Sequence, residues 1–406
     1  MLALQIFKWL LLAIEIVIAL PVLYLSILSI SAILAARRLK KRAITVPSPS
    51  QRASFAILVP AHNEIAVLGQ LLKSLASLDY PQERYTVYVV ADNCTDATAE
   101  LARATGRTEV YERFDQEKRG KGFALNWLIQ KLDEDCLVYD AYIILDADSV
   151  VAPSFLQEMN KGLTRGAHAL QANNNVLNFT ESASTALRWI AMTLMNHVRP
   201  LGRNGIGCSS TLTGNGMCLS RSLLVRYPWQ SFSLAEDYQY YLSLMQHGEK
   251  VLYMPEAIVR SEMPSTFAQM RTQDIRWEAP DNSQPAWITA WKLLKAGVRK
   301  RDLIRIEAIA ELLTPPLSYL AGSYLLVLVG SLLVGSLSHL IVSLVITGGL
   351  LCYFGTAIYL LRPPRTVFRA LLHAPGFMLW KLWVILVVRR RKKHTAEWVR
   401  TSRTIS

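Results

Sequence analysis

Paired cysteines are missing from this chain. The five it has, Cys94, Cys136, Cys208, Cys218 and Cys352, form neither a close pair nor a metal-ligand spacing, which excludes a disulfide framework or zinc ribbon and fits reduced cytosolic thiols. Internal repeats and low-complexity tracts are absent too, so a solenoid or a disordered scaffold is excluded. Acidic residues are in short supply, 31 against 44 Lys and Arg, for a net charge of +13. Such an excess would suit nucleic acid, but much of it sits in clusters beside apolar segments, where anionic lipid headgroups attract it. A lipid bilayer, and no nucleic acid, is the partner implied.

Charge is almost absent between Trp9 and Leu34, where Glu15 stands alone. About 20 apolar residues cross the hydrocarbon core of a bilayer, so this stretch is expected to span. It is too long for a cleaved leader, and its strongest charge, Arg37, Arg38, Lys40, Lys41 and Arg42, follows the apolar run instead of preceding it. Positive flanks stay in the cytoplasm, which places the N-terminus outside. A second apolar block, Leu312 to Leu361, is long enough for two helices joined near Gly335, Ser336 and Ser338, with Arg299, Lys300 and Arg301 before it and Arg362 and Arg365 after it. It reads as a hairpin with both ends in the cytoplasm. From Val367 to Val388 the apolar pattern is broken by Arg369, His373, Pro375 and Lys381 and closed by the basic run Arg389 to Lys393. An interfacial or re-entrant helix is expected there, with a further crossing as the alternative.

Between the apolar blocks the composition turns ordinary, and short apolar runs alternate with helical patterns as in an α/β sheet. The expected organisation is a basic-flanked span over 1–42, a cytoplasmic α/β domain over 43–280, an interfacial amphipathic segment over 281–311, a membrane hairpin over 312–361 and a tail over 362–406. Strands are expected at Phe55 to Pro60, Tyr85 to Val90, Thr108 to Arg113 and Ala141 to Leu145. A polar or acidic cluster follows each of three: Glu64 after the first, Asp92 after the second, Asp146-Ala147-Asp148 after the fourth. In an open parallel sheet the carboxyl ends of strands line one crevice, so these clusters are expected to converge.

Asp146 and Asp148, alternating along an extended segment, would present two hard oxygen ligands on one side, suited to Mg2+ or Mn2+ that also binds a diphosphate. A solvated acidic turn is the plainer reading of the same residues. Arg119-Gly120-Lys121-Gly122 opens a helix and offers cations to an anionic ligand, or is a solvated basic turn. Glu236-Asp237 precedes an aromatic helix pattern and either caps it or supplies a general base. Gln273-Asp274-Ile275-Arg276-Trp277 sets an amide, a guanidinium and an indole side by side, a combination that suits a diphosphate and a sugar ring, or else a surface helix.

Taken in order, Pro60-Ala61-His62-Asn63-Glu64, Asp92-Asn93, Arg119-Gly120-Lys121-Gly122, Asp146-Ala147-Asp148, Gly214-Asn215-Gly216, Glu236-Asp237 and Gln273-Asp274-Ile275-Arg276-Trp277 resemble the motifs of the membrane-integrated family 2 glycosyltransferases. This group contains cellulose, hyaluronan and poly-N-acetylglucosamine synthases and ceramide glucosyltransferases. The resemblance implies an α/β GT-A domain, Rossmann-like and nucleotide-sugar-binding, inserted between transmembrane helices of a bacterial inner-membrane protein. It implies that Glu64, Asp92 and Lys121 contact the nucleotide and that Asp146 and Asp148 hold Mn2+ or Mg2+ and the donor diphosphate. It further implies that Gly214 and Asn215 lie beside the acceptor, that Glu236 borders the substrate and that Asp237 is the base. Gln273, Arg276 and Trp277 would meet the diphosphate and the acceptor terminus.

The partners implied are a nucleotide-sugar donor, a uridine diphosphate sugar by resemblance, and a lipid or growing polysaccharide acceptor. Asp274 and the following Glu278-Ala279-Pro280 depart from the pattern of processive members. The few spans also argue against an enclosed polymer channel unless a homo-oligomer or accessory membrane subunit completes one. The rival function is a nucleotide-sugar-binding sensor or transporter subunit without catalysis.

Overall fold

The computed structural model describes residues 2–42, 51–264 and 285–390. Helix α1 (Leu2–Arg42) is followed by β1 (Phe55–Ala61), α2 (Leu68–Ala76), β2 (Tyr85–Asp92), α3 (Thr98–Ala104) and β3 (Thr108–Arg113). Next come α4 (Lys121–Glu134), β4 (Ala141–Ile144), β5 (Ser149–Val151), α5 (Phe155–Thr164), β6 (Ala169–Val176), α6 (Ala183–Thr193) and α7 (Arg199–Gly205). The domain closes with β7 (Met217–Ser220), α8 (Arg221–Arg226), α9 (Glu236–His247) and β8 (Val251–Ser261). Helices α10 (Ala286–Lys300), α11 (Leu303–Leu313), α12 (Leu317–Val334), α13 (Leu337–Leu361), α14 (Arg365–Ala370) and α15 (Ala374–Arg390) follow.

The strands form one eight-stranded sheet in the order β3-β2-β1-β4-β7-β6-β8-β5. Strands β1 to β4 are parallel neighbours, as their apolar runs predict, because a parallel strand is covered on both faces. The period-2 alternation then divides each strand between two cores. Phe55, Ile57, Val59, Val87, Val89, Ala141 and Ile143 pack under Leu68, Leu71 and Leu75 of α2 and Phe155 and Met159 of α5. Ala56, Leu58, Tyr88, Val90, Tyr142 and Ile144 meet Leu125, Leu128 and Leu132 of α4 and Tyr240, Tyr241 and Leu244 of α9. Each large side chain so buried stabilises the fold by about 1.5–3 kcal/mol.

The other half of the sheet departs from the expected parallel pattern. β7 runs antiparallel to β4 and β6, and β5 antiparallel to β8. These strands were not legible as apolar runs: β5 is very short, and β6 reads Ala-Leu-Gln-Ala-Asn-Asn-Asn-Val. Gln171 and Asn175 of this strand are held by tertiary hydrogen bonds, to the Asn215 carbonyl and the Thr193 hydroxyl.

Among the described residues three helices are long and apolar enough to cross a membrane, Leu4–Lys41, Leu317–Val334 and Leu337–Leu361. The last two meet at Gly335 and Ser336, where the helical hairpin was expected to turn. At 41 residues and about 1.5 Å rise each, α1 is about twice as long as the ~30 Å hydrocarbon layer of a bilayer, and part of it packs against α7 of the α/β domain. That part docks closely: a Cβ on Gly202 of α7 would stand 2.3 Å from the Leu28 carbonyl oxygen of α1. Only glycine permits the contact, since the opposing atom is backbone.

A buried cluster of ion pairs closes the same junction. Arg203 of α7 donates through Nε and Nη2 to the two carboxylate oxygens of Glu307 on α11, at 2.6 and 2.7 Å, and from Nη2 to the Tyr241 hydroxyl of α9 at 2.8 Å. Arg199 reaches Glu311 at 3.3 Å and donates to the Tyr353 hydroxyl of α13 at 3.0 Å. Tyr24 of α1 donates to Glu307 at 2.5 Å and to Glu311 at 3.2 Å. Burial works against the charge on Glu311, but Arg199 and Arg203 outweigh it and hold its carboxyl below the usual range.

Removing one member of such a cluster strands its partner's charge. Arg203→Met is expected to destabilise the protein by about 3–5 kcal/mol, whereas Arg203→Met combined with Glu307→Leu should recover much of the loss. Thermal unfolding in detergent measures both, and an equal or larger loss in the double variant would contradict the pairing.

Candidate active site

The loops after β1, β2 and β4 open on one crevice at the carboxyl edge of the parallel strands. The first two are stitched together by asparagines in the left-handed region, Asn63 at φ 56 and Asn93 at φ 52, where Asn is tolerated better than most residues. The Asn63 side-chain oxygen accepts the backbone N–H groups of Thr95 at 2.7 Å and Asp96 at 3.2 Å, and His62 Nδ1 bonds the Asp92 carbonyl at 2.6 Å. Glu64 lies on the rim, its backbone N–H donating to the Thr98 hydroxyl at 2.9 Å.

Asp92 is buried at 6% exposure, and Arg113, at the end of β3, donates to its Oδ1 at 2.6 Å. Burial raises the Asp92 pKa and Arg113 opposes the rise, aided by the backbone N–H of Gly120. Arg113 also donates to Asp115 and to the Lys118 carbonyl, so the Asp92 carboxylate anchors the loop that delivers Lys121. Sequence reading treated Arg113 only as a strand residue. Its signal was a cation at the carboxyl end of a strand, in register with Asp92.

Lys121, the first residue of α4, joins the remaining parts. Its Nζ donates to Asp146 Oδ1 at 2.5 Å and to the Gly214 carbonyl at 2.5 Å, and lies 3.7 Å from Glu236 Oε1. Gly214 has φ +74, and a Cβ there would stand 2.9 Å from Asp237 Oδ2 and 3.4 Å from Lys121 Nζ. Glycine is therefore needed at this turn for its backbone and for its missing side chain. The structure thus brings together Lys121, Asp146, Gly214, Glu236 and Asp237.

Electrostatics in this cluster are compensated internally. Burial works to lower the Lys121 pKa, but Asp146 and Glu236 outweigh it and keep the ammonium charged. Burial raises the Glu236 carboxyl to about 7 against the pull of Lys121. Asp237 is raised by the same cause and opposed by the same lysine, and its Oδ1 accepts the Tyr238 backbone N–H at 2.8 Å.

The Asp146-Ala147-Asp148 segment is a turn closed by the Ser149 N–H on the Asp146 carbonyl at 3.1 Å, not the extended stretch expected from alternation. The physical reason is the jump from β4 to the short β5 on the far edge of the sheet, which demands a change of direction. Both aspartates are half-buried. Asn215, next to Gly214, is 1% exposed and its amide faces inward. Its Oδ1 accepts the Asp146 N–H at 3.2 Å, and its Nδ2 donates to Ser149 Oγ at 2.9 Å and Ser261 Oγ at 3.0 Å. Gln171 of β6 holds the same loop, donating to the Asn215 carbonyl at 2.8 Å and accepting from the Thr213 N–H at 3.0 Å. The Asn215 side chain therefore positions the aspartate turn. Gln273, Arg276 and Trp277 lie outside the described residues.

Among the described residues no group of three or more His, Cys, Asp or Glu gathers as a metal cluster. Asp146 and Asp148 are nonetheless hard donors, and Asp146 already holds a cation, the Lys121 ammonium. By donor chemistry alone, two carboxylates suit a divalent ion such as Mn2+ or Mg2+ whose remaining positions are filled by phosphate and water.

The mixed sheet, with its crevice beyond the parallel strands, is that of the GT-A glycosyltransferases. It matches the mannosyltransferase PcManGT from Pyrobaculum calidifontis, solved with GDP-Man and Mn2+, at a TM-score of 0.54 and 17% identity over 95% of this chain and 100% of that one. The profile described as glycosyltransferase like family 2 matches residues 52–279, more than half of the sequence, and the chain belongs to that family. A β-monoglucosyldiacylglycerol synthase from Nostoc is 28% identical over 255 residues, 60% of this chain and 52% of the relative. A poly-β-1,6-N-acetyl-D-glucosamine synthase from Staphylococcus epidermidis is 23% identical over 283 residues, 67% of this chain and 65% of the relative. The chain spans about half the length of the first curated relatives it matches.

The raised Glu236 carboxyl has a consequence for stability. Between the ordinary 4.5 and about 7 the folded protein keeps a proton that the unfolded chain has released, so this group's contribution is present below that window and lost as pH rises through it. Melting temperature measured across that range is expected to fall less steeply in Glu236→Gln than in the parent, and parallel profiles would contradict the assignment.

Proposed function

We propose that this protein transfers a sugar, with inversion, from a nucleoside-diphosphate sugar to a hydroxyl of a membrane-associated acceptor at the cytoplasmic face of a bilayer. The observation that carries the reading is the meeting of Asp237 with Lys121 and Asp146 around Gly214, a half-buried acid and a cation on either side of a turn that a side chain would crowd. Asp237 takes the proton of the acceptor hydroxyl as its oxygen attacks the anomeric carbon from the face opposite the diphosphate. The bond to the diphosphate breaks as the new glycosidic bond forms. One carboxylate base suffices for this single displacement, and burial strengthens it by raising its pKa.

Lys121 lies at the same point to receive phosphate charge, with Arg276 and Trp277 assigned to the diphosphate and the acceptor end. Glu64 and Asp92 border the nucleotide side, Asp92 through the loop it anchors. Asp146 and Asp148 would hold Mn2+ or Mg2+, which when bound adds positive charge against the departing diphosphate. A lipid acceptor is favoured over a growing polysaccharide by the departure at Asp274 and Glu278 from the pattern of processive members. The basic flanks at Arg37 to Arg42, at Arg299 to Arg301 and at Arg362 and Arg365 support a cytoplasmic α/β domain in an inner membrane.

With a panel of nucleotide sugars, Mn2+ and membrane lipid extract, the detergent-solubilised protein is expected to release nucleoside diphosphate and yield one labelled lipid-soluble product. Asp237→Asn should lower transfer by about 100- to 10,000-fold. Undiminished transfer in that variant would remove Asp237 as base, a ladder of products would favour the polysaccharide, and donor binding without nucleotide release would favour a non-catalytic sensor.

A further inference from the structure

Helix α10 carries two indoles that stand exposed among the described residues. Trp287 is 70% exposed and Trp291 64%, with Val298 at 63% and Leu294 at 38%. Their spacing places all four on one side of an α-helix, one or two turns apart. The opposite side is packed: Thr289, Leu293 and Gly297 are buried, and Leu293 belongs to the core formed by Tyr240, Tyr241, Leu244 and Met245 of α9. An exposed apolar stripe this concentrated marks an interaction surface.

The charge beside the stripe identifies the partner. Lys295 and Arg299 stand one turn apart and exposed along its edge, Lys300 ends the helix, and α10 contains no acidic residue. Tryptophan favours the boundary between headgroups and acyl chains, where its ring is apolar and its N–H finds a partner. Lysine and arginine next to such a stripe attract anionic headgroups. A soluble protein partner would have no need of uninterrupted positive charge beside a tryptophan edge.

We infer that α10 is a docking surface for anionic lipid, and that its engagement raises the rate of transfer. The second part rests on the function proposed above. Its route is short: α10 packs through Leu293 on α9, and the first turn of α9 carries Glu236 and Asp237. Seating α10 on headgroups therefore restrains the helix that presents the base.

The test uses the full-length protein in vesicles of phosphatidylcholine alone and of phosphatidylcholine mixed with phosphatidylglycerol. Tryptophan quenching by brominated phosphatidylcholine reads the docking without requiring activity. The parent is expected to be quenched more than Trp287→Ser/Trp291→Ser, and to transfer roughly tenfold faster when phosphatidylglycerol is present. Lys295→Gln/Arg299→Gln should keep its melting temperature and its rate in detergent while losing that gain. Equal quenching of parent and tryptophan variant would overturn the docking, and crosslinked dimers through α10 would assign the stripe to a second copy. A phosphatidylglycerol gain retained in the lysine-arginine variant would overturn the role of α10 in it. If quenching behaves as expected but no lipid composition supports transfer, the docking stands and the enzymatic reading falls.

Discussion

The ion-pair cluster of Arg199 and Arg203 with Glu307 and Glu311 fixes how the α/β domain sits on its helices. It involves α7, α9, α11, α1 through Tyr24 and α13 through Tyr353. Apolar packing alone is tolerant of sliding, because one aliphatic surface resembles another. A fork of guanidinium N–H groups on a carboxylate is directional, and once dehydrated it accepts little displacement. The close approach at Gly202 works in the same sense, since a helix crossing this tight has a single position along α1. The Lys121 cluster is thereby held in a constant relation to the apolar helices that are candidate spans.

Within that frame the site is a set of like charges kept close by one cation. Asp146, Glu236 and Asp237 would repel one another without Lys121, and burial adds to the reluctance of Glu236 and Asp237 to ionise. A donor diphosphate brings negative charge that competes for the same ammonium, while a divalent ion at Asp146 and Asp148 would offset it. The charge balance of Lys121 with Asp146, Glu236 and Asp237 is consistent with the nucleotide-sugar reading proposed above. Gly214 and Gly216 keep backbone where a side chain would intrude on Asp237 and on Ala172 and Val259.

Much of the fold was legible residue by residue. The run Phe55-Ala56-Ile57-Leu58-Val59 announced a doubly covered strand, and β3 falls on Thr108–Arg113 as read. Both apolar blocks became the three candidate spans. The polar half of the sheet escaped, since β6 buries Gln171, Asn174 and Asn175, and nothing local distinguishes a buried asparagine from a solvated one. The site was legible as a list of motifs, and Lys121, Asp146, Glu236 and Asp237 do meet. Arg113 and Gln171 went unseen because their roles lie in partners far along the chain.

What the sequence determined by itself were quantities set by near neighbours: strand and helix periodicity, the length of apolar runs, the placement of basic flanks and the order of the motifs. Tertiary structure alone decided that Asn215 turns inward to hold the Asp146 turn, that Arg113 neutralises Asp92, and that two arginines meet two glutamates between domain and membrane helices. The reason is physical. Periodicity and span length follow from backbone geometry and transfer free energy over a few turns, whereas the direction of a polar side chain depends on which distant donor or acceptor packing brings within reach.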